Sequence, residues 1–255
     1  MDTPRHSDLI GTLRGQLIVS CQAYPNEPLR DPRVMMLFAQ AAIDGGAAAV
    51  RTQGLDDIKL IHENVQAPQI GLLKVGNEPV FITPTLDDAL AVARAGADVV
   101  ALDGTRRPRP DGRTLAETVA ALHAETNVLV MADCGSLDDA RAAEDAGVDV
   151  LGTTLAGYTG ERPKTNGPDL DLIAQIAGTL ATPLFAEGRI HTPAQAAAAL
   201  NAGAFSVVVG TAITHPTTIT SWFVAALTST REQHEGMPTL RPGGDAAVSS
   251  AGLAM

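Results

Sequence analysis

A chain of 255 residues, 45% of them hydrophobic, can bury a sizeable core, and its length is typical of a single α/β barrel domain. The formal net charge of −11 at pH 7 excludes a protein that grips nucleic acid or an anionic membrane through a clustered basic face. Aromatics are only 3%, so the interior must be built from Ala, Val, Leu and Ile; no apolar run reaches the roughly 20 residues of a membrane-spanning helix.

Residues 1–12, MDTPRHSDLIGT, lack the basic and apolar stretches of a secretion signal and read as a flexible lead-in to a cytoplasmic protein. Cys21 and Cys134 are too few for a disulfide framework and read as reduced thiols. From there the chain alternates short apolar runs with helical segments. Strands are predicted at 16–22, 47–51, 70–74, 98–103, 127–133, 149–153, 183–187 and 206–210. Four of them follow a helix that closes on glycine: AAIDGGAAAVRT, AVARAGADVVALD, AAEDAGVDVLGT and AALNAGAFSVVVG. Aligned on Gly46, Gly96, Gly147 and Gly203, these units lie 50, 51 and 56 residues apart, about two βα units each, and the other four strands fall before and between them. Eight strands alternating with helices predict a closed parallel (β/α)8 barrel, a TIM barrel, as a single domain over residues 13–228. The doubly wound open sheet is disfavoured, because no GxGxxG turn follows the first strand. The Gly-, Ser-, Pro- and Ala-rich residues 229–255 read as a disordered tail.

Active sites of such barrels lie at the C-terminal strand ends, so the polar residue closing each apolar run is the candidate. Those residues are Gln22, Arg51, Lys74, Asp103, Asp133, Thr153 with Thr154, Glu187, and Gly210 with Thr211. A lysine after the buried run IGLL can lose part of its hydration and serve as a neutral base. Glu187, roughly opposite, can act as acid or base, and the two together suit proton transfer at carbon. Arg51 and Gln22 can hold an oxygen on which charge develops, and Asp133 can orient hydroxyls or the lysine. Asp103 is open between substrate and an ion pair with Arg106 or Arg107. Gly188, Arg189, Gly210 and Thr211, after the seventh and eighth strands, lie where barrel enzymes bind phosphate on backbone N–H groups. No histidine pair has metal-ligand spacing and neither cysteine has a CxxC partner, so no metal or other cofactor is expected.

The segments SCQAYPNEPL (20–29), FITPT (81–85), ALDGTRRPRPDG (101–112), MADC (131–134), LGTTLAGYT (151–159), AEGRIHTP (186–193) and VVVGTAIT (207–214) resemble the N-acetylmannosamine-6-phosphate 2-epimerase family, over about residues 13–226. The resemblance implies a TIM barrel that interconverts N-acetylmannosamine 6-phosphate and N-acetylglucosamine 6-phosphate in sialic acid and amino-sugar catabolism. It places Lys74 and Glu187 at the chemistry, with Gln22, Arg51, Asp133 and Tyr158 at the sugar and Gly188, Arg189, Gly210 and Thr211 at the phosphate. For that reaction the residues suggest ring opening with help from Glu187, removal of the C2 proton by neutral Lys74 and stabilisation of the enolate by Arg51 and Gln22, with either Lys74 alone or Lys74 and Glu187 together moving the C2 proton. Two departures stand out: a short VGNEP loop after Lys74, and His215 where the family more often has arginine. A Schiff-base lyase or aldolase would use the same strand-end lysine, and a silent sugar-phosphate sensor would need neither Lys74 nor Glu187. Finally, ITSWFVAAL (219–227) sets Ile219, Phe223 and Leu227 on one helical stripe beside Trp222, an apolar face that either packs as the eighth barrel helix or also anchors a homodimer, the state expected here.

Overall fold

The computed structural model describes residues 7–235. A short helix α1 (Ser7–Thr12) leads into β1 (Leu17–Cys21), after which helix and strand alternate. They run α2 (Pro32–Asp44), β2 (Ala49–Gln53), α3 (Leu55–Asn64), β3 (Gln69–Leu72), α4 (Leu86–Arg94), β4 (Val99–Asp103), α5 (Leu115–Glu125) and β5 (Leu129–Asp133). The second half continues with α6 (Leu137–Asp145), β6 (Val150–Gly152), α7 (Leu170–Thr179), β7 (Leu184–Glu187), α8 (Pro193–Asn201), β8 (Ser206–Val209), α9 (Thr211–Thr214) and α10 (Pro216–Glu235). Every strand pairs in parallel with its sequence neighbours, and β8 pairs back onto β1 through Leu17↔Val207, so the barrel is closed. All eight strands fall where the apolar runs predict them, within two residues at each end.

The alternation along each strand divides the core into two layers. On β5, Leu129 and Met131 turn inward with Ile18, Ala49, Ile70, Val99, Phe185 and Val208, the branched and aliphatic set that fills a barrel. Val130 and Ala132 of the same strand turn outward against the helices. Helix starts are marked by side-chain caps: Thr85, Thr114 and Thr192 each close a capping box, and Asp31, Ser136 and Asp169 accept from a first-turn N–H. Helix ends are marked by the four repeat glycines, whose φ values of 96°, 109°, 83° and 107° lie in the left-handed region.

Two boundaries differ from the sequence expectation. Residues 7–12 form a helix rather than a loose lead-in, because Leu9 and Ile10 pack against the inner layer, Leu13 is buried in it, and Gly15 donates to the Phe205 carbonyl; together they seal the N-terminal end of the barrel. At the other end, one compact unit closes at Pro216 and a second begins at Thr217, which over its described residues is the helix α10. The boundary expected at 229 falls inside α10, since STREQHE holds no helix breaker before Gly236; residues beyond 235 lie outside the described ones. Within α10, Phe223, Val224 and Leu227 are exposed.

Gly46 and Gly96 occupy the same turn but differ in their surroundings. A Cβ on Gly46 would meet nothing, whereas one on Gly96 would run into the His62 ring. Gly46→Ala should therefore cost only the left-handed strain, roughly 1–2 kcal/mol. Gly96→Ala should add an overpacking cost of about 1–3 kcal/mol. Urea unfolding of both variants checks this, and equal losses would show that the close approach to His62 does not matter.

Candidate active site

At the C-terminal strand ends the inward-facing positions enclose a cavity of about 580 Å³, whose wall includes Gln22, Arg51, Lys74, Tyr158, Glu187 and Arg189. Gly188, Gly210 and Thr211 line the same space. Of the ten residues predicted for the site, only Asp133 lies outside the cavity wall.

Arg51 is not at the end of β2 but in its middle, 1% exposed, with its side chain reaching across the barrel. Its Nη1 and Nη2 donate to Oδ1 and Oδ2 of Asp133 at 3.1 and 2.6 Å, and Nη1 stands 3.2 Å from Oε2 of Glu187. The Thr154 hydroxyl bridges the two carboxylates, 2.6 Å from Asp133 Oδ1 and 3.1 Å from Glu187 Oε2. Asp133 is fully buried and both its oxygens are taken, so the structure makes it the counter-ion of Arg51 and does not present it to a sugar hydroxyl. Glu187 keeps 14% exposure into the cavity. Burial raises its carboxyl above the usual range, Arg51 opposes that rise, and Asp133 adds to it.

Lys74 lies past the end of β3, in an antiparallel bridge with Ile82. Its Nζ donates to Gln22 Oε1 at 2.9 Å and stands 5.7 Å from the centre of the Tyr24 ring; Gln22 Nε2 in turn donates to the Ser20 hydroxyl. The side chain keeps accessible surface, but in the confined cavity mouth. Loss of hydration there holds the ammonium below its ordinary value; Arg51 pushes the same way, while Glu187 and Asp133 push back. Lys74 is thus biased toward the free amine and Glu187 toward the neutral acid, the pair of states that proton transfer at carbon calls for. No thiolate competes for that role: both cysteines are buried, and burial pushes the Cys21 thiol up to about 12.

Asp103 is resolved as an ion-pair partner. Its oxygens take Thr105 N and Oγ1, and Arg107 Nη2 at 2.7 Å, while Arg106 pairs instead with Asp139 and Glu161. Arg107 lines the cavity and was missed as a site residue, because the run TRRPRP offers three arginines and nothing in its spacing tells which one turns inward.

At the end proposed for phosphate, Gly188 has a φ of 107° and Arg189, a non-glycine, a φ of 56°. The Arg189 guanidinium spends its donors on the loop after β6: Nε on Gly167 O at 3.1 Å, Nη1 on Ala156 O at 2.8 Å and Nη2 on the Thr165 hydroxyl at 3.0 Å. It also stacks 5.4 Å from the Tyr158 ring, so its clearest work is holding that loop and Tyr158 over the cavity. Gly210 precedes the short helix α9, and both Gly210 and Thr211 line the cavity. His215, buried at the end of α9, packs on the Tyr24 ring at 4.9 Å and stands 3.5 Å from Glu27 Oε1.

Residues 35–229 match the model of the family described as "Putative N-acetylmannosamine-6-phosphate epimerase". The chain belongs to this family. A relative from Cutibacterium acnes, named "Putative N-acetylmannosamine-6-phosphate 2-epimerase", is 57% identical over 221 residues, covering 86% of this chain and 96% of its own. One of the same name from Corynebacterium glutamicum (strain R) is 45% identical over 227 residues, covering 88% and 97%. Among solved structures, the N-acetylmannosamine-6-phosphate 2-epimerase from Clostridium perfringens superposes with a TM-score of 0.84 at 38% identity, covering 89% of this chain and 98% of that one.

Arg51 pairs with two acidic side chains in the interior, Asp133 and Glu187. Arg51→Met should destabilise the fold by about 3–5 kcal/mol at neutral pH, the cost of leaving buried charge unpaired. Without the cation, the Glu187 carboxyl, which burial already raises, would titrate higher still in the folded chain, so protonation would favour the folded state and the deficit should shrink from pH 7 to pH 5. Urea midpoints of wild type and variant at the two pH values test this; a deficit independent of pH would mean that lost packing, not charge, is the cause.

Proposed function

We propose that this protein epimerises C2 of N-acetylmannosamine 6-phosphate, giving N-acetylglucosamine 6-phosphate, as a step of sialic acid and amino-sugar catabolism in the cytoplasm. The observation that carries this reading is the facing of Lys74 and Glu187 across one cavity, with the pKa of the amine lowered and that of the carboxyl raised. Family membership supports it, as do relatives that bear this activity in their names.

The C2 proton is acidic only beside a carbonyl, so the sugar must first open to the C1 aldehyde. Glu187 in its neutral form gives its proton to the ring oxygen as the bond from C1 to that oxygen breaks, the C1 hydroxyl proton passes to solvent in the open cavity, and Thr154 and Arg51 hold the carboxylate that results. Neutral Lys74 then takes the C2 proton, with Gln22 Oε1 fixing the direction of the amine. The enolate oxygen at C1 falls to the cavity donors; Arg51 contributes field more than a free hydrogen bond, because its Nη atoms are already engaged. Return of the proton to the opposite face gives the epimer. Backbone N–H groups at Gly188, Gly210 and Thr211 receive the phosphate.

Proton NMR of N-acetylmannosamine 6-phosphate with the enzyme in D2O should show the gluco epimer appearing with deuterium at C2. Lys74→Ala should lower turnover by about 10²–10⁴-fold with the fold intact, the range of a general base. Turnover within tenfold of wild type would remove Lys74 from the chemistry, and a borohydride-stable adduct on Lys74 would favour a Schiff-base lyase.

The same reading includes a homodimer built on α10, whose Phe223 and Leu227 are 70% and 73% exposed on one stripe. Phe223→Ala should shift the assembly toward monomer in light scattering. A wild-type mass of about 26 kDa at micromolar concentration would refute the dimer.

A further inference from the structure

The base proposed above sits beyond the last residue of its strand, so something other than the β3 ladder must fix it. β3 ends at Leu72, and the chain from Lys74 to Ile82 forms a small antiparallel turn, closed by the Lys74↔Ile82 bridge and by Val75 N on Phe81 O at 2.9 Å. Most of its tip, Val75 to Pro79, is exposed. What ties the turn to the barrel is Thr83, which is fully buried and, though not glycine, has a φ of 43°. Its N–H donates to Leu73 O at 2.7 Å, and its hydroxyl accepts from Leu73 N at 3.1 Å and donates to Ala101 O of β4 at 2.6 Å. Its own carbonyl is held by Arg109 Nη2 at 2.8 Å, while Arg109 Nη1 holds Asp103 O at 2.8 Å and Asp103 N donates to Ile82 O.

Arg109 is an unusual residue to spend there. It is buried, it meets two neutral carbonyls rather than a carboxylate, and its Nε is buried with no partner. A left-handed β-branched residue and a guanidinium clamp without a counter-ion are local costs, and such costs persist where the surroundings over-determine a working geometry.

We propose that Thr83 and Arg109 are positioning residues for Lys74: they clamp the turn 74–82 onto the end of β4 and so hold the amine at the cavity wall. This rests on the reading of Lys74 as the C2 base. Neither residue lines the cavity, so neither touches the substrate. The groups that face Lys74 are Gln22 and Tyr24 from the β1 end, Arg30 from the following loop, Arg51 from β2, Asp133 from β5 and Glu187 from β7. A slack turn would let the amine leave that enclosure for water, and its pKa would climb back toward the ordinary lysine value.

The test measures kcat and KM against pH for wild type and for Thr83→Ala, Thr83→Ser, Arg109→Gln and Arg109→Lys, with urea unfolding of each. In Thr83→Ala and Arg109→Gln, kcat near neutral pH should fall about tenfold or more, as small displacements of a reacting group do, with KM changed far less. The rise of kcat with pH should move to higher pH in both, and Thr83→Ser should restore both properties. Arg109→Lys, which keeps the charge but loses the fork, should fall between. Profiles that keep the wild-type pH dependence, with activity lost only in step with folded protein, would overturn the proposal; so would failure of all four variants to fold, since the clamp would then serve the barrel and not the base. A control separates this from the reading it rests on. Lys74→Cys alkylated with 2-bromoethylamine carries a weaker amine at the same place, and Cys21 and Cys134 are buried away from the reagent. Its rise should move to lower pH. If it stays put, Lys74 is not the base; if it moves while Thr83→Ala and Arg109→Gln do not, Lys74 is the base and the clamp is not what holds it.

Discussion

A guanidinium buried at the centre of the barrel mouth sets the terms for everything around it. Arg51 comes from β2, yet its two carboxylate partners lie on β5 and β7, so its side chain crosses the interior where an aliphatic layer would otherwise close. Room for that crossing comes from β6. A Cβ on Gly152 would stand 2.5 Å from Met131 Cε and 3.2 Å from Asp133 Oδ1, so any larger residue would displace the counter-ion or the methionine that Arg51 rests on. Thr154, two residues on, bridges Asp133 and Glu187 with a single hydroxyl. Carboxylates this close, with Glu187 oxygen atoms partly desolvated, could not both ionise without the cation between them. Arg51 therefore occupies both oxygens of the buried Asp133 and leaves Glu187, 14% exposed, as the member of the pair that reaches the cavity.

The same cation acts on Lys74. Loss of hydration is the largest influence lowering the amine's pKa; Arg51 adds to it, while Glu187 and Asp133 oppose it. A site with Lys74 beside the bare carboxylates would instead fix an ammonium in an ion pair and forfeit the base. The opposing shifts of Lys74 and Glu187 bring their titration ranges closer together, which widens the share of molecules in which the amine is free and the carboxyl still holds its proton.

Much of this was open to reading because local rules wrote it. The glycine-closed helices and the short Val-rich runs are local signals, and they placed every strand; the alternation of inward and outward positions then aimed Gln22, Lys74 and Glu187 at one mouth. What could not be read is what depends on partners far apart in the chain. Arg51 and Asp133 are 82 residues apart, and each alone looks like a substrate contact. Arg189 follows a glycine at a strand end, where a phosphate ligand is the natural reading, but the carbonyls it meets belong to a loop whose course no spacing reveals. Arg109 and Arg107 sit two residues apart in one run, and only the fold sends one to the clamp behind Lys74 and the other to the cavity. The helix at residues 7–12 was illegible for the same reason: its few apolar residues acquire meaning only once the open end of a barrel lies beneath them.

The engagement of Arg189 reshapes the expected phosphate end. With Nε, Nη1 and Nη2 all bonded to the loop after β6, Arg189 has its donors engaged, and under the proposed function the phosphate falls to backbone donors at Gly188, Gly210 and Thr211. His215 lines the same cavity wall. Its ring is packed on Tyr24 and lies beside Glu27, and the Glu27 carboxylate also holds the Tyr24 backbone N–H at 3.0 Å. His215 thus braces the β1 loop, whose Tyr24 ring in turn faces Lys74. A histidine at the end of α9 that packs on Tyr24 therefore ties the β8 side of the cavity to the wall beside Lys74.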